Sequence, residues 1–325
     1  MRVTCVATAV PPAAAPELTL PAGLATRRVW QHDASGNIVG MTFGRYGLGL
    51  WRFTHESVDH AERLVRGAVD CGITLLDNAA VYGGNWGGSG FGGAEQLLGA
   101  VFKQAPGLRD TVCVATKGGI TPGIPYDQSP ATLRRECEDS LRRLGVERID
   151  LYQIHRPDMF AHPRETAETL MALRREGKID RIGVSNFTTA QHEALAVHLN
   201  VPIETTQPEF SAAALQPMRD GTFDLCMRDG VRPLAWSPLA GGRLITGENI
   251  RPELITVLDE IATAHSTTRE QVAYAFVLSH PSKPVVLLGT QKPERLVAAT
   301  SSPVQSLERS ELYRIVAASE GRPLP

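Results

Sequence analysis

ITLLDNAAVYGG, residues Ile73 to Gly84, is the stretch on which the reading of the fold turns. Ile73, Thr74, Leu75 and Leu76 are apolar or β-branched, the composition of a short strand buried on both faces. The strand stops at Asp77, and Tyr82 follows five residues later among small residues. Taken alone, an aspartate after a strand is a turn former. At the open end of a parallel barrel, the same aspartate and tyrosine line a site. The neighbouring sequence separates the two readings.

Outward from this stretch, strands alternate with helices. Before it, Arg45 to Leu50 holds a first strand, and Ser57 to Asp70 carries apolar residues at helical spacing, stopped by Cys71-Gly72. After it, strands are predicted at Thr111–Lys117, Ile149–Ile154, Ile179–Val184, Ile203–Thr206, Val231–Ala235 and Val285–Leu288. Helices are predicted between them at Ala94–Lys103, Pro130–Leu144, Arg164–Glu176, Ala190–His198, Gly221–Met227, Pro252–His265 and Arg269–Leu278. Glu308–Ser319 reads as an additional helix on the outside. Eight strands separated by helices predict an α/β protein, a single (β/α)8 TIM barrel occupying residues 21–325. Asp33-Ala34-Ser35-Gly36 lies between two alternating runs, which predicts an N-terminal β-hairpin at the barrel bottom. Residues 1–20, rich in Ala, Pro and Val, predict a flexible segment.

Composition narrows the function. The 325 residues are 42% hydrophobic and 21% charged, with a net charge of −2, so nothing favours nucleic acid or an anionic membrane as partner. Cysteines stand singly at 5, 71, 113, 137 and 226 without metal-ligand spacing, which predicts a reduced, cytoplasmic setting. Pro11 and Pro12 interrupt the apolar N-terminal run, which argues against a secretory signal. No segment reaches the ~18 apolar residues of a membrane helix.

The ends of the predicted strands carry the chemistry. Strand two ends at Asp77 with Tyr82 in its loop, strand three at Lys117, and strand four at His155. Strand five ends at Ser185 and Asn186, strand six at Gln207, strand seven at Trp236 and Ser237, and strand eight runs into Gly289 and Thr290. A solvated loop explains one polar residue after a strand. It does not explain a functional group after seven consecutive strands, all of which a barrel brings to one face. The glycine-dense loop GGNWGGSGFGG that follows Tyr82 reads either as a connector or as a pocket wall, with Trp86 and Phe91 as its apolar contacts; Trp51 is a further candidate for the substrate pocket. There is no GxSxG elbow, no Walker loop and no GxGxxG after a first strand, and the histidines are isolated, which disfavours metal. A tyrosine, a lysine, an aspartate and a histidine remain. That set suits proton donation to a developing alkoxide: an ammonium lowers a tyrosine pKa from about 10, and a carboxylate holds the ammonium in place. Such a site cannot itself supply hydride, so it requires a nicotinamide cofactor.

From about residue 40 to the end, the chain resembles the aldo-keto reductase family. DNAAVYG at 77–83 is similar to the family's DTAxxYG, and GGAEQLLG at 92–99 to its SExxLG-type helix start. VATKGG, LYQIHRPD, GVSNF and AWSPLAGG follow in family order, closest to a bacterial branch with poorly defined substrates. The resemblance implies Tyr82 as general acid, tuned by Asp77 and Lys117, with His155 orienting the substrate. It also implies that Ser185, Asn186 and Gln207 hold the nicotinamide carboxamide and that Trp236 stacks on the ring. The pyrophosphate loop would be Ser237–Leu244, including Leu239, Gly241 and Arg243. NADP(H) is the implied cofactor and a small carbonyl compound the substrate, the reaction being reduction of an aldehyde or ketone. The family also includes sugar-hemiacetal oxidisers and slow cofactor-sensing channel subunits. Two departures concern the adenine end: Gly289 stands where a lysine is common, and Ala298-Ala299 where Glu-Asn often holds adenine. Thr290, Gln291, Lys292 and Arg295 remain for the 2′-phosphate, Arg295 by a bidentate guanidinium.

Overall fold

The computed structural model describes residues 43–54, 57–304 and 306–324. Its strands are Tyr46–Gly49 (β1), Leu75–Asp77 (β2), Cys113–Gly118 (β3), Ile149–Ile154 (β4), Ile179–Ser185 (β5), Ile203–Gln207 (β6), Arg232–Ala235 (β7) and Val285–Leu288 (β8). They pair in parallel in sequence order, and β8 returns to β1 through Gly47 opposite Leu287, so the sheet closes as a barrel. The (β/α)8 architecture follows.

The helices are Val58–Asp70 (α1), Gly93–Gln104 (α2), Pro130–Leu144 (α3), Pro163–Arg175 (α4), Thr189–Ala196 (α5), Thr222–Asp229 (α6), Arg243–Thr246 (α7), Pro252–Ala264 (α8), Arg269–Leu278 (α9), Pro293–Thr300 (α10) and Arg309–Glu320 (α11). Local chemistry sets their ends. The Ser57 side chain accepts from the His60 N–H to start α1, which buries Ala61, Leu64, Val65 and Ala68 along one stripe against the sheet. Ser129 caps α3 in the same way, and Gly145 ends it in the left-handed conformation. Thr188 and Gln191 form a reciprocal capping box, which moves the start of α5 one residue ahead of the expected Ala190.

Strand alternation divides the core into two. Leu48, Leu76, Val114, Tyr152 and Ile154 belong to the large apolar layer under the helices, whereas Leu75, Ala115, Leu151 and Leu234 fill the barrel floor. Two residues further along β2, β3 and β4, the same inward face presents Asp77, Lys117 and Gln153. The site is thus a polar layer on an apolar floor.

Asp77 is the last residue of β2, paired with Gly49 and Ala115, while Ile73 and Thr74 precede the ladder. The strand therefore starts two residues later than expected: the Ile73 N–H bonds the Ala68 carbonyl as the helix-to-strand turn. The expected N-terminal hairpin and flexible segment, and Cys5, lie outside the described residues. Among the described residues, no helix is long and apolar enough to cross a membrane, and no cluster of three metal-ligating side chains occurs.

Candidate active site

Three strand ends and one loop bring the expected four side chains together. Lys117 Nζ, fully buried, donates to Asp77 Oδ2 at 2.8 Å and to the Asn78 carbonyl at 2.8 Å, and lies 3.3 Å from the Tyr82 hydroxyl. The Tyr82 ring stands edge-on to the His155 ring with centroids 5.8 Å apart. The loop that carries Tyr82 is fixed by its backbone: the Asn78 N–H bonds the Ala115 carbonyl and the Ala80 N–H the Lys117 carbonyl. The tyrosine is thereby hung on the same strand as its lysine. Asn78, where the resemblance has threonine, bonds the Ala79 N–H through its own side chain.

Electrostatics corrects one expectation. Burial pushes the Tyr82 phenol above its ordinary range, and the nearby Lys117 ammonium only partly opposes this. The phenol keeps its proton at neutral pH, as a proton donor must. Burial works against the Lys117 charge, but Asp77 and then Tyr82 outweigh it and hold the ammonium above the usual lysine range. Burial, reinforced by Lys117 and Arg156, holds His155 well below the usual histidine range, so the imidazole is neutral. An expected result follows. Activity measured from about pH 7 to about pH 5.5 should show no inflection near the free imidazole value of about 6.5. An inflection there that disappears in His155→Gln would mean that the imidazole titrates normally.

A cleft of about 820 Å³ opens over this layer. Its walls include Asp77, Tyr82, His155, Gln207, Trp236, the run Ser237–Arg243, Gly289, Thr290 and Arg295. The loop after β7 is shaped for close approach. Ser237 and Ala240 take φ of 50° and 52°, followed by Gly241 at 72° and Gly242 at 102°. A side-chain carbon at Gly241, Gly242 or Gly289 would meet nothing within 4 Å, so the cleft has open space at all three positions. Gln291 Oε1 is buried with no partner, and Arg295 is exposed with no carboxylate in ion-pair range among the described residues. Open backbone in the loop after β7 and an unengaged guanidinium at Arg295 fit an elongated nucleotide cofactor.

Other expected residues take different parts. Ser185 and Asn186 do not line the cleft. Asn186, at φ 58°, donates to Ser185 Oγ at 2.8 Å and accepts from the Trp236 indole at 3.1 Å, so the pair braces Trp236. Trp51 lines the cleft, whereas Trp86 is not among its walls and packs perpendicular to Trp51 at 5.6 Å, beneath the Arg52 guanidinium at 4.4 Å. Phe91 is not among the walls of the cleft: its ring lies 5.7 Å from the Arg143 guanidinium, just ahead of α2. Arg52 reaches across to the Gly241 carbonyl at 3.3 Å and links the loops after β1 and β7.

Several cleft residues have no counterpart in the sequence reading: Arg52, Ile120, Arg156, Glu209, Glu270 and Tyr274. Tyr274 donates to Glu270 Oε1 at 3.0 Å from within α9, a helix read only for its apolar spacing. Gln153 is also missing from that reading. It donates to Asp77 Oδ1 at 3.2 Å, beside Gln207 at 2.9 Å. The alternation Leu151-Gln153 in LYQIH carries the signal, since Gln153 falls on the inward face.

With this geometry in hand, comparison with known proteins is specific. Residues 45–320 match the model of the aldo/keto reductase family. A 6-dehydroglucose reductase of Novosphingobium aromaticivorans is 40% identical over 289 residues, 88% of this chain and 95% of that protein. The uncharacterized oxidoreductase YcsN of Bacillus subtilis is 34% identical, over 88% of this chain and 97% of its own. Among solved structures, an aldo/keto reductase from Klebsiella pneumoniae in complex with NADP and acetate superimposes with a TM-score of 0.70 at 26% identity, covering 87% of this chain and 93% of that one.

Proposed function

This chain belongs to the aldo/keto reductase family and is an NADP(H)-dependent oxidoreductase; we propose that it reduces an aldehyde or ketone to the alcohol, with Tyr82 as proton donor. The contact set of Lys117, with Asp77 on one side and the Tyr82 hydroxyl on the other, carries this reading. When bound, the reduced nicotinamide supplies a hydride. The chain supplies the rest. The neutral imidazole of His155 holds the carbonyl oxygen by a hydrogen bond, and Tyr82 gives that oxygen its proton as negative charge develops. Lys117 then faces the phenolate left behind, and Asp77 fixes Lys117 in place.

For the cofactor, we assign Gln207 and Trp236 to the nicotinamide end, with Ser185 and Asn186 setting the position of the indole. The loop Ser237–Leu244 takes the pyrophosphate on backbone N–H groups. Thr290, Gln291 and Arg295, where α10 begins after β8, take the adenosine 2′-phosphate. Accordingly, Arg295→Ala should raise the Michaelis constant for NADPH about five- to ten-fold and leave that for NADH nearly unchanged, the size expected of an exposed charge-assisted bond. Steady-state kinetics with both cofactors checks this, and equal weakening toward the two would reassign Arg295 to the shared part of the cofactor.

The substrate end narrows the class further. Trp51, Val81 and Ile120 provide apolar surface there, and Arg52, Arg156 and Glu209 provide polar groups in the same cleft. Burial lifts the Glu209 carboxyl above the usual range, opposed by Arg243 and Arg156. Mixed walls of this kind suit a polyhydroxylated aldehyde, and an oxidised sugar is the first substrate to test, since the 40%-identical relative is a 6-dehydroglucose reductase. Cys71, Cys113, Cys137 and Cys226 are free thiols, which supports a reducing, cytoplasmic setting. Turnover with NADPH across a panel of sugar aldehydes, simple aldehydes and ketones tests the proposal. No turnover across the panel with bound NADPH would point instead to a cofactor sensor.

A further inference from the structure

We infer that Gln153 is a positioning residue of the active site, orienting Asp77 so that its second oxygen meets Lys117. The inference rests on the reading of Asp77, Lys117 and Tyr82 as one catalytic unit. Asp77 has two carboxylate oxygens with separate duties. Oδ2 takes Lys117 Nζ at 2.8 Å, while Oδ1 takes two side-chain amides, Gln207 Nε2 at 2.9 Å and Gln153 Nε2 at 3.2 Å. A carboxylate on a short side chain rotates freely about its last bond, and donors on both oxygens fix its plane. Gln207 faces the cleft, so its contact with Asp77 is exposed to whatever occupies the nicotinamide end. Gln153 is fully buried beneath, out of reach of any ligand, and is therefore the permanent brace.

The barrel is built to admit this side chain. Lys117, Gln153, Gly183 and Thr205 are register partners on four successive strands. Gly183 leaves the space through which Gln153 passes: a side-chain carbon there would lie 2.9 Å from Gln153 Cγ and would collide with Thr205 Oγ1. Thr205 Oγ1 in turn donates to Gln153 Oε1 at 3.4 Å, which turns the amide nitrogen toward Asp77. A glutamine serving only as filler needs neither the vacant glycine nor both ends of its amide engaged.

Two variants test the role. Gln153→Leu keeps the bulk and removes the donor; turnover should fall about ten-fold, the effect of one hydrogen bond to a charged group, while the dissociation constant for NADPH stays within about two-fold. Gln153→Glu retains a donor only while the introduced carboxyl is protonated. The titratable groups around it are Asp77 on β2, Lys117 on β3 and Tyr82 above them, and the adjacent carboxylate raises its pKa. Turnover should therefore stay within about three-fold of the unmodified protein near pH 5.5 and fall at least about ten-fold further by about pH 8.5. Should Gln153→Leu not fold, the pH profile of Gln153→Glu decides alone. Unmodified turnover and pH profile in the folded variants would overturn the inference and leave Gln153 as packing. If Tyr82→Phe is also fully active, the catalytic unit itself fails and not merely its brace.

Discussion

Tyr82→Phe should lose most carbonyl reduction, about 10²- to 10⁴-fold in turnover, and bind NADPH within a few-fold of the unmodified protein. The substitution removes one oxygen and leaves the ring, which packs edge-on to His155. What disappears is the only hydroxyl within hydrogen-bond reach of Lys117 Nζ among the described residues. Because burial holds the phenol above its ordinary pKa, the group is fully protonated at neutral pH and has its proton to give, while the Lys117 ammonium 3.3 Å away stabilises the phenolate left behind. Stopped-flow reduction with bound NADPH separates the chemical step from cofactor release. Near-normal single-turnover rates would remove Tyr82 from the mechanism and shift proton donation to His155 or a bound water.

Lys117→Met should damage both turnover and stability, and the two losses have one cause. Lys117 is fully buried and Asp77 nearly so, and their contact is the one ion pair of the barrel's inner polar layer among the described residues. Removing one partner of such a pair leaves a buried charge unmatched and costs about 3–5 kcal/mol. The Tyr82 phenol loses the ammonium that opposes the effect of burial, so turnover should drop by about 10²-fold or more. Chemical denaturation measures the first loss and steady-state kinetics the second. Pairing Lys117→Met with Asp77→Asn should recover most of the stability and none of the turnover, since the double variant has no unmatched charge. Full activity in Lys117→Met would mean that the lysine is structural.

The positions of Asp77, Tyr82, Lys117 and His155 followed from local pattern. Asp77, Lys117 and His155 each end an apolar run, and Tyr82 follows the first of them in a small-residue loop. Period-two and helical spacing are properties of short windows, so the order of strands and helices is legible without knowing what they pack against. Errors fell where the chain turns. The start of β2 is set by which residues face Gly49 and Ala115, a matter of pairing and not of composition. Phe91 is as apolar as Trp51, and nothing in the sequence says that its loop directs it toward Arg143 while Trp51 faces the cleft.

By itself, then, the sequence determined the alternation of elements, the barrel that eight parallel strands must form, and the polar residues delivered to one rim. Tertiary structure alone decided how those residues act on one another. Gln207 reaches Asp77 across 130 positions of chain, and Gln153 across 76. Only ring closure sets these distances, because side chains facing one axis meet regardless of their separation in sequence. The sign of the tyrosine shift was likewise decided in three dimensions. A lysine beside a tyrosine argues for a lowered pKa, but the depth of the phenol argues the reverse. Depth is a property of the closed barrel and its loops, which no window of residues contains.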